Sequence, residues 1–159
     1  MATGFPMVGW GTAWILGLGA LDLLDGLMRI LVAALAWVIG MLLSWLPMRA
    51  MIRTGSETRM RWAWVVVLVA SPFLVAAARP ASFSHGVLLV GALWGLAMCL
   101  YAIATNDPIL AVVAGFGIVM AGALAVLDIP SRLLWFGVSA GLPLLALGIH
   151  RVCRGGSRV

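Results

Sequence analysis

Two aspartates and one arginine near the N-terminus have the types and spacing that could support chemistry. Asp22, Asp25 and Arg29 follow an apolar stretch and fall at i, i+3 and i+7, so a continuous helix would place them on one face. Carboxylates beside a membrane span are typical of a cation or proton site. The alternative is a solvated turn neutralised by Arg29, and it is favoured because these residues fall near headgroup depth.

Metal, redox and enzymatic chemistry lack the residues they need. His85 and His150 lie at opposite ends of the predicted spans, about a bilayer thickness apart, so they cannot share a metal. Cys99 lies in an apolar run and Cys153 in the tail, which predicts two free thiols. No hydrolase, metalloprotease or phosphate-binding motif is present. The sequence therefore predicts a non-enzymatic protein with no cofactor and no metal.

Tryptophans and prolines inside the apolar runs have both structural and functional interpretations. Trp37 and Trp94 fall near mid-span, where an indole N–H needs a partner. Helix packing is the favoured explanation, and a bound pigment, quinone or lipid is the alternative. Pro72 and Pro143 each remove a backbone hydrogen bond. Matching breaks could form a transporter site, but a simple kink is favoured.

Small residues and short polar turns predict how the helices begin and pack. Glycines four residues apart form close-packing faces on two helices. These glycines are Gly91 with Gly95 and Gly137 with Gly141. Asp107 before Pro108 predicts an N-cap with proline at the first helical position, and Asp128 with Pro130 resembles it. Ser82 or Ser84 is expected to cap a further helix.

The positive charge is concentrated in two clusters. The 159 residues carry ten arginines, no lysine and five acids, for a net charge of +5. Clusters beside spans serve as topology signals and contact anionic lipid headgroups, which we favour over a nucleic-acid partner. An acidic protein partner is the second choice for this basic surface. Seven of the arginines form the clusters: Arg49, Arg53, Arg59 and Arg61, and Arg151, Arg154 and Arg158.

Composition identifies the class of protein. Apolar residues make up 64% of the chain and charged residues only 9%, with a mean hydropathy of +1.16, which excludes a soluble globular domain. Charges and prolines divide the chain into apolar runs long enough to cross about 30 Å of hydrocarbon. The predicted transmembrane helices are 27–48, 62–78, 86–104, 109–127 and 133–149.

These runs predict a polytopic, all-α transmembrane bundle forming a single membrane-embedded domain over 1–159. Short connections predict that the last four helices form a compact C-terminal four-helix unit. Four spans separate the arginine loop at 49–61 from the basic tail at 150–159, so both lie on one side. The positive-inside rule makes that side cytoplasmic, in the inner membrane of a bacterium.

The first 26 residues have two interpretations. Residues 7–25 either lie in the membrane interface, giving five spans, or cross it with a tight hairpin at 22–26, giving six. Six is slightly favoured, since glycines suit close packing and weaken an isolated interfacial helix. Those glycines are Gly9, Gly11, Gly17 and Gly19.

The sequence predicts a non-catalytic subunit that packs into a larger membrane complex for transport, secretion or energy conversion. Its expected partners are anionic lipids and other membrane subunits or further copies of itself. A small homo-oligomeric transporter using Asp22 and Asp25 is the alternative, and a pigment- or quinone-contacting subunit is a weaker one. The hydrophilic surface is too small for a separate catalytic or receptor domain.

The topology predicts how cysteines react with an impermeant thiol reagent added outside the cell. Ser56→Cys should stay unlabelled because its loop is expected to be cytoplasmic, whereas Ser82→Cys should be labelled. The measurement is labelling of intact cells followed by gel shift. The reverse pattern would overturn the orientation.

Overall fold

The structure is a computed structural model that describes residues 4–49, 55–127 and 129–156, with side chains described at 4–44, 64–127 and 129–154. These residues form six helices and contain no strand, which confirms the predicted all-helical fold. The helices are α1 (Gly4–Leu23), α2 (Gly26–Arg49), α3 (Gly55–Ala78), α4 (Phe83–Ala104), α5 (Pro108–Val126) and α6 (Arg132–Gly156).

Length and composition make this an integral membrane protein. Among the residues that the structure describes, five helices are long and apolar enough to cross a membrane, namely α1, α2, α4, α5 and α6. The apolar part of α3, Trp64–Ala78, is shorter. Four of these five helices, α2, α4, α5 and α6, overlap predicted spans, and α1 is the fifth.

The predicted arginine loop over 49–61 is wrong in its bounds, because α2 continues to Arg49 and α3 begins at Gly55. Likewise, α6 continues to Gly156 through most of the predicted tail. The physical reason is that charge ends the apolar run without ending the helix. Arginine, methionine and glutamate are good helix formers, so the helices extend past the hydrocarbon.

The helices divide into two compact units, and this division corrects the predicted four-helix unit. One unit contains α1, α2 and α6, and the other contains α3, α4 and α5. The short connection before α6 fixes only where that helix starts. Its neighbour is set by small residues, because glycines on α6 face glycines on α1 and let the two backbones touch.

Helix α1 packs antiparallel against α6 along nearly its whole length. A Cβ atom added at Gly11 would lie 2.8 Å from the carbonyl oxygen of Gly141. One added at Gly148 would lie 2.9 Å from the oxygen of Gly4. Contacts this short leave no room for any side chain. The glycines are therefore required by the close approach of α1 and α6.

The other side of α1 packs antiparallel against α2. A Cβ atom added at Gly9 would lie 2.8 Å from the carbonyl oxygen of Gly40, and one added at Gly17 would lie 2.6 Å from Nε1 of Trp37. Ser44 Oγ donates to Gly40 O at 2.7 Å and lies 3.4 Å from Pro6 O. Thus α1 is the inner helix of its unit, with α2 and α6 on either side.

The packing of α1 indicates whether it lies in the membrane interface or crosses the membrane with its neighbours. A helix lying in the membrane interface would expose a polar face to water, whereas Met7, Trp14 and Leu18 of α1 are buried. Wherever α2 and α6 cross a membrane, α1 crosses beside them. Because both neighbours are antiparallel to α1, the start of α1 and the ends of α2 and α6 lie at one end of the unit.

In the second unit, α4 packs antiparallel against both α3 and α5. A Cβ atom added at Gly95 would lie 2.9 Å from Cγ1 of Ile118 on α5. The α4 start and the α5 start carry the caps that the sequence predicted. Ser82 Oγ accepts from the His85 amide, and Asp107 accepts from the Leu110 amide with proline at the first helical position. Asp128 lies outside the described residues.

The glycine contacts predict that the effect of a Gly→Ala substitution on stability depends strongly on which glycine is replaced. Gly141→Ala places a methyl group 2.7 Å from Gly11 O and should destabilise the fold by roughly 1–3 kcal/mol through overpacking. Gly115→Ala is the matched control, since nothing lies within 4 Å of its added Cβ. It should be neutral, or stabilising by up to about 1 kcal/mol. Thermal unfolding in mild detergent measures both, and equal midpoints would contradict the packing.

Candidate functional site

The strongest sequence candidate, Asp22, is bonded to the start of a distant helix. Its Oδ2 atom accepts a hydrogen bond of 2.7 Å from the backbone N–H of Leu134, in the first turn of α6. Ser131 stands at the N-cap position of α6 but has a φ of +54°, unlike the extended backbone of an ordinary N-cap. Asp22 therefore supplies the capping carboxylate from α1, and the helix dipole favours its negative charge.

The other two candidates lie at the tight connection between α1 and α2, Asp25 in the turn and Arg29 in the first turn of α2. The Arg29 Nε atom donates to Leu24 O at 2.9 Å and so satisfies a carbonyl at the end of α1. Arg29 also lies 3.9 Å from Asp25, whose side chain is fully exposed. A pair with that exposure is screened by solvent. Gly26 has a φ of +56°, which this two-residue turn requires and which glycine adopts without strain.

We name Asp22, Asp25, Arg29 and the first turn of α6 the hairpin junction. The structure brings the three candidates to one end of the first unit, but on a broken helix, because α1 ends at Leu23 and α2 begins at Gly26. Two of the three side chains hold helix ends. The hairpin junction can therefore stabilise the packing of the α1–α2 hairpin against α6. Its polar side chains act by capping helix ends.

His85 performs a similar task in the second unit. Its Nε2 atom lies 3.1 Å from Ala125 O, near the end of α5, and its Nδ1 atom lies 2.6 Å from Ser82 Oγ. A carbonyl oxygen only accepts, so Nε2 carries the proton in this bond. His150 is exposed on α6 in the other unit. Among the described residues, no group of three His, Cys, Asp or Glu side chains could hold a metal ion.

The mid-span tryptophans have partners in the protein. The Trp94 Nε1 atom donates to Ser71 Oγ at 3.2 Å, and Ser71, only 3% exposed, donates to Val67 O at 2.6 Å. The Trp37 ring lies 5.8 Å from the Trp10 ring and 6.0 Å from the Trp14 ring, between centroids. These contacts are typical of aromatic packing. Protein side chains thus contact the rings where a pigment or quinone was considered.

Each of the two prolines lies inside a helix. Pro72 lies inside α3 and Pro143 inside α6, and these helices belong to different units. Both helices continue through their proline. Beside Pro72, the Ser71 hydroxyl bonds to the helix backbone, which is a common way to accommodate a proline in a membrane helix.

The predicted packing glycines all lie at buried positions. A Cβ atom added at Gly137 would lie 2.7 Å from Trp14 O, so this glycine sits against α1. Gly141 and Gly95 have similarly short approaches to α1 and α5, and Gly91 is buried on α4. The sequence analysis did not predict that Gly4, Gly40 and Gly148 are also packing glycines. The seven-residue spacing of Gly4 with Gly11, and of Gly141 with Gly148, would have indicated two of them.

The arginine clusters are described only at the end of α6. Arg154 is exposed and Arg151 is half-buried. They follow the apolar part of the helix by a turn, as expected for contacts with headgroups. The remaining predicted contacts have side chains outside the described residues: Arg49, Arg53, Arg59, Arg61 and Arg158.

Comparison of the chain with protein-family models, curated proteins and solved structures found no match.

The capping role of Asp22 predicts a difference between two neighbouring acids. Asp22→Ala should lower the free energy of unfolding by about 0.5–2 kcal/mol, the usual cost of a lost N-cap, and speed hydrogen exchange at the Leu134 amide. Asp25→Ala should leave stability close to that of the unchanged protein, because its side chain is fully exposed. Exchange measured by mass spectrometry in detergent tests this. A larger effect at Asp25 would contradict the assignment.

Proposed function

We propose that this protein is a non-catalytic integral membrane subunit that packs into a larger membrane complex and stabilises it. The observation that supports this most directly is the use of its polar side chains. Asp22, Arg29 and His85 bind the chain's own helix ends, and Ser71 accepts from Trp94. Polar side chains that hold the protein's own helices together are typical of a subunit with a structural role.

The outer face of α2 is the surface that we assign to a neighbouring subunit. Within its unit, α2 packs against α1 through small and polar residues such as Ala36, Gly40 and Ser44. Its opposite face exposes a continuous series of large apolar side chains. These include Leu27, Leu31, Leu35, Val38 and Leu42. In a membrane such a face packs against lipid or against another helix, and we propose a helix of a partner subunit.

The proposal also includes the orientation of the protein in its membrane and the membrane in which it lies. The basic ends of α2 and α6 lie at the same end of the first unit, which supports one common side for both arginine clusters. We place that side in the cytoplasm of a bacterial cell, with anionic lipid against the arginines. The complex belongs to transport, secretion or energy conversion.

The transporter alternative requires Asp22 and Asp25 to bind the transported ion. Asp22 accepts a hydrogen bond from Leu134, and an ion would have to displace that bond from the end of α6. Asp25 lies on the surface of the turn. The geometry therefore favours the structural role. The pigment or quinone alternative is disfavoured because Trp37 and Trp94 contact protein groups.

The assembly proposal is tested by the size of the particle extracted from native membranes with mild detergent. We expect the protein to elute with at least one other membrane protein at fixed stoichiometry. Leu35→Trp, on the exposed face of α2, should reduce the bound fraction at least twofold because it disrupts packing. Val119→Trp, at a similarly exposed position on α5, is the matched control and should leave the bound fraction unchanged.

A second measurement separates the subunit from the transporter. Purified protein in vesicles should move no ion or small solute above the rate of empty vesicles. Transport by the purified protein alone, abolished by Asp22→Asn and Asp25→Asn, would overturn the proposal.

A further inference from the structure

A groove runs along the outside of the second unit between α3 and α4. Its volume is about 160 Å³. Val66, Leu96 and Leu100 at its rim are exposed, so the groove opens away from the unit. We name it the α3–α4 groove. It is lined by Val66, Ala70 and Leu74 of α3 and by Leu93, Ala97 and Leu100 of α4, together with their immediate neighbours.

Helices α3 and α4 contact each other at two described places, and the groove lies mainly beyond the second of them, toward Val66 and Leu100. At one end, Val75 and Pro80 lie against Gly86 of α4. Further along, the Trp94 indole bridges to Ser71, and a large ring there holds the helices apart. An apolar groove left unfilled forfeits dispersion contacts on all of its walls, so an apolar occupant is favoured.

The polar turn at one end of the groove indicates the rest of the ligand. Arg79, which directly follows the last residue of α3, is exposed and lies five residues beyond the lining residue Leu74. Over the four residue steps from Leu74 to Ala78, the helix rises by about 6 Å. The interfacial layer on each side of a bilayer is roughly 5–8 Å thick. The Arg79 side chain is exposed, and its guanidinium can bind an anion through charge-assisted hydrogen bonds.

We propose that the α3–α4 groove binds one acyl chain of a membrane glycerophospholipid, whose phosphate is held by Arg79. The groove volume of about 160 Å³ suits a slender acyl chain. It is too small for a helix, which is about 10 Å wide. Arginine is also suited to bidentate contacts with phosphate. This site lies at the end of the second unit opposite the start of α3, and it does not depend on the proposed function.

The test uses the full-length protein in vesicles of phosphatidylethanolamine and phosphatidylglycerol. A tracer of phosphatidylglycerol carries a photoreactive diazirine in its acyl chain, and labelled peptides are mapped by mass spectrometry. We expect labelling of 66–74 and 93–100 to exceed that of the α5 face around Val119 at least threefold. Equal labelling of these surfaces would overturn the proposal, since it is the signature of bulk lipid.

Variants separate the acyl-chain contact from the phosphate contact. Ala97→Phe and Ala70→Phe fill the groove from opposite walls and should each lower the labelling at least threefold. Ala76→Phe, exposed on α3 away from the lining, is the matched control. Arg79→Gln should lower the labelling at least twofold, and Arg79→Lys should retain most of it.

Circular dichroism and elution volume establish that each variant is folded, and either groove variant that folds suffices for the test. Labelling that persists in a folded groove variant would overturn the groove assignment. Labelling unchanged by Arg79→Gln would overturn the assignment of the phosphate to Arg79.

Discussion

The close approach of backbones along α1 is the constraint on which the first unit depends. Inside a bilayer, helices gain little from burying apolar side chains, because lipid tails are equally apolar. Association then depends on short-range contact, and glycine allows it. On α1, Gly9 faces Gly40 of α2, and Gly11 faces Gly141 of α6. The inner helix can therefore touch two neighbours that lie far from each other in sequence.

A second physical requirement follows from the same environment. Polar groups within or beside hydrocarbon need partners inside the protein. The structure meets this need with bonds between helices: Asp22 reaches the start of α6, His85 reaches the end of α5, and Trp94 reaches Ser71. Each bond fixes one helix against another. The polar residues are thus explained by assembly of the fold, and this is why we favour a structural function.

The sequence predicted local features well, since those depend on neighbouring residues. The Asp107 and Ser82 caps follow from a side chain and an amide three residues apart, and apolar runs locate the membrane helices. Long-range features escaped prediction. Asp22 and Leu134 are 112 residues apart, and nothing local links them. The pairing of α6 with α1 was likewise missed, because a short connection constrains helix ends and leaves the packing face undetermined.

Cysteine cross-linking in native membranes tests most directly whether α1 lies against α6. In a chain with Cys99→Ala and Cys153→Ser, the pair Gly19→Cys and Leu134→Cys should be joined by a short bis-methanethiosulfonate reagent, because a Cβ atom at residue 19 lies 3.3 Å from Cδ1 of Leu134. Gly95→Cys with Ile118→Cys, across α4 and α5, is the positive control. We predict an intramolecular link in both pairs, and a link in the control pair alone would contradict the account.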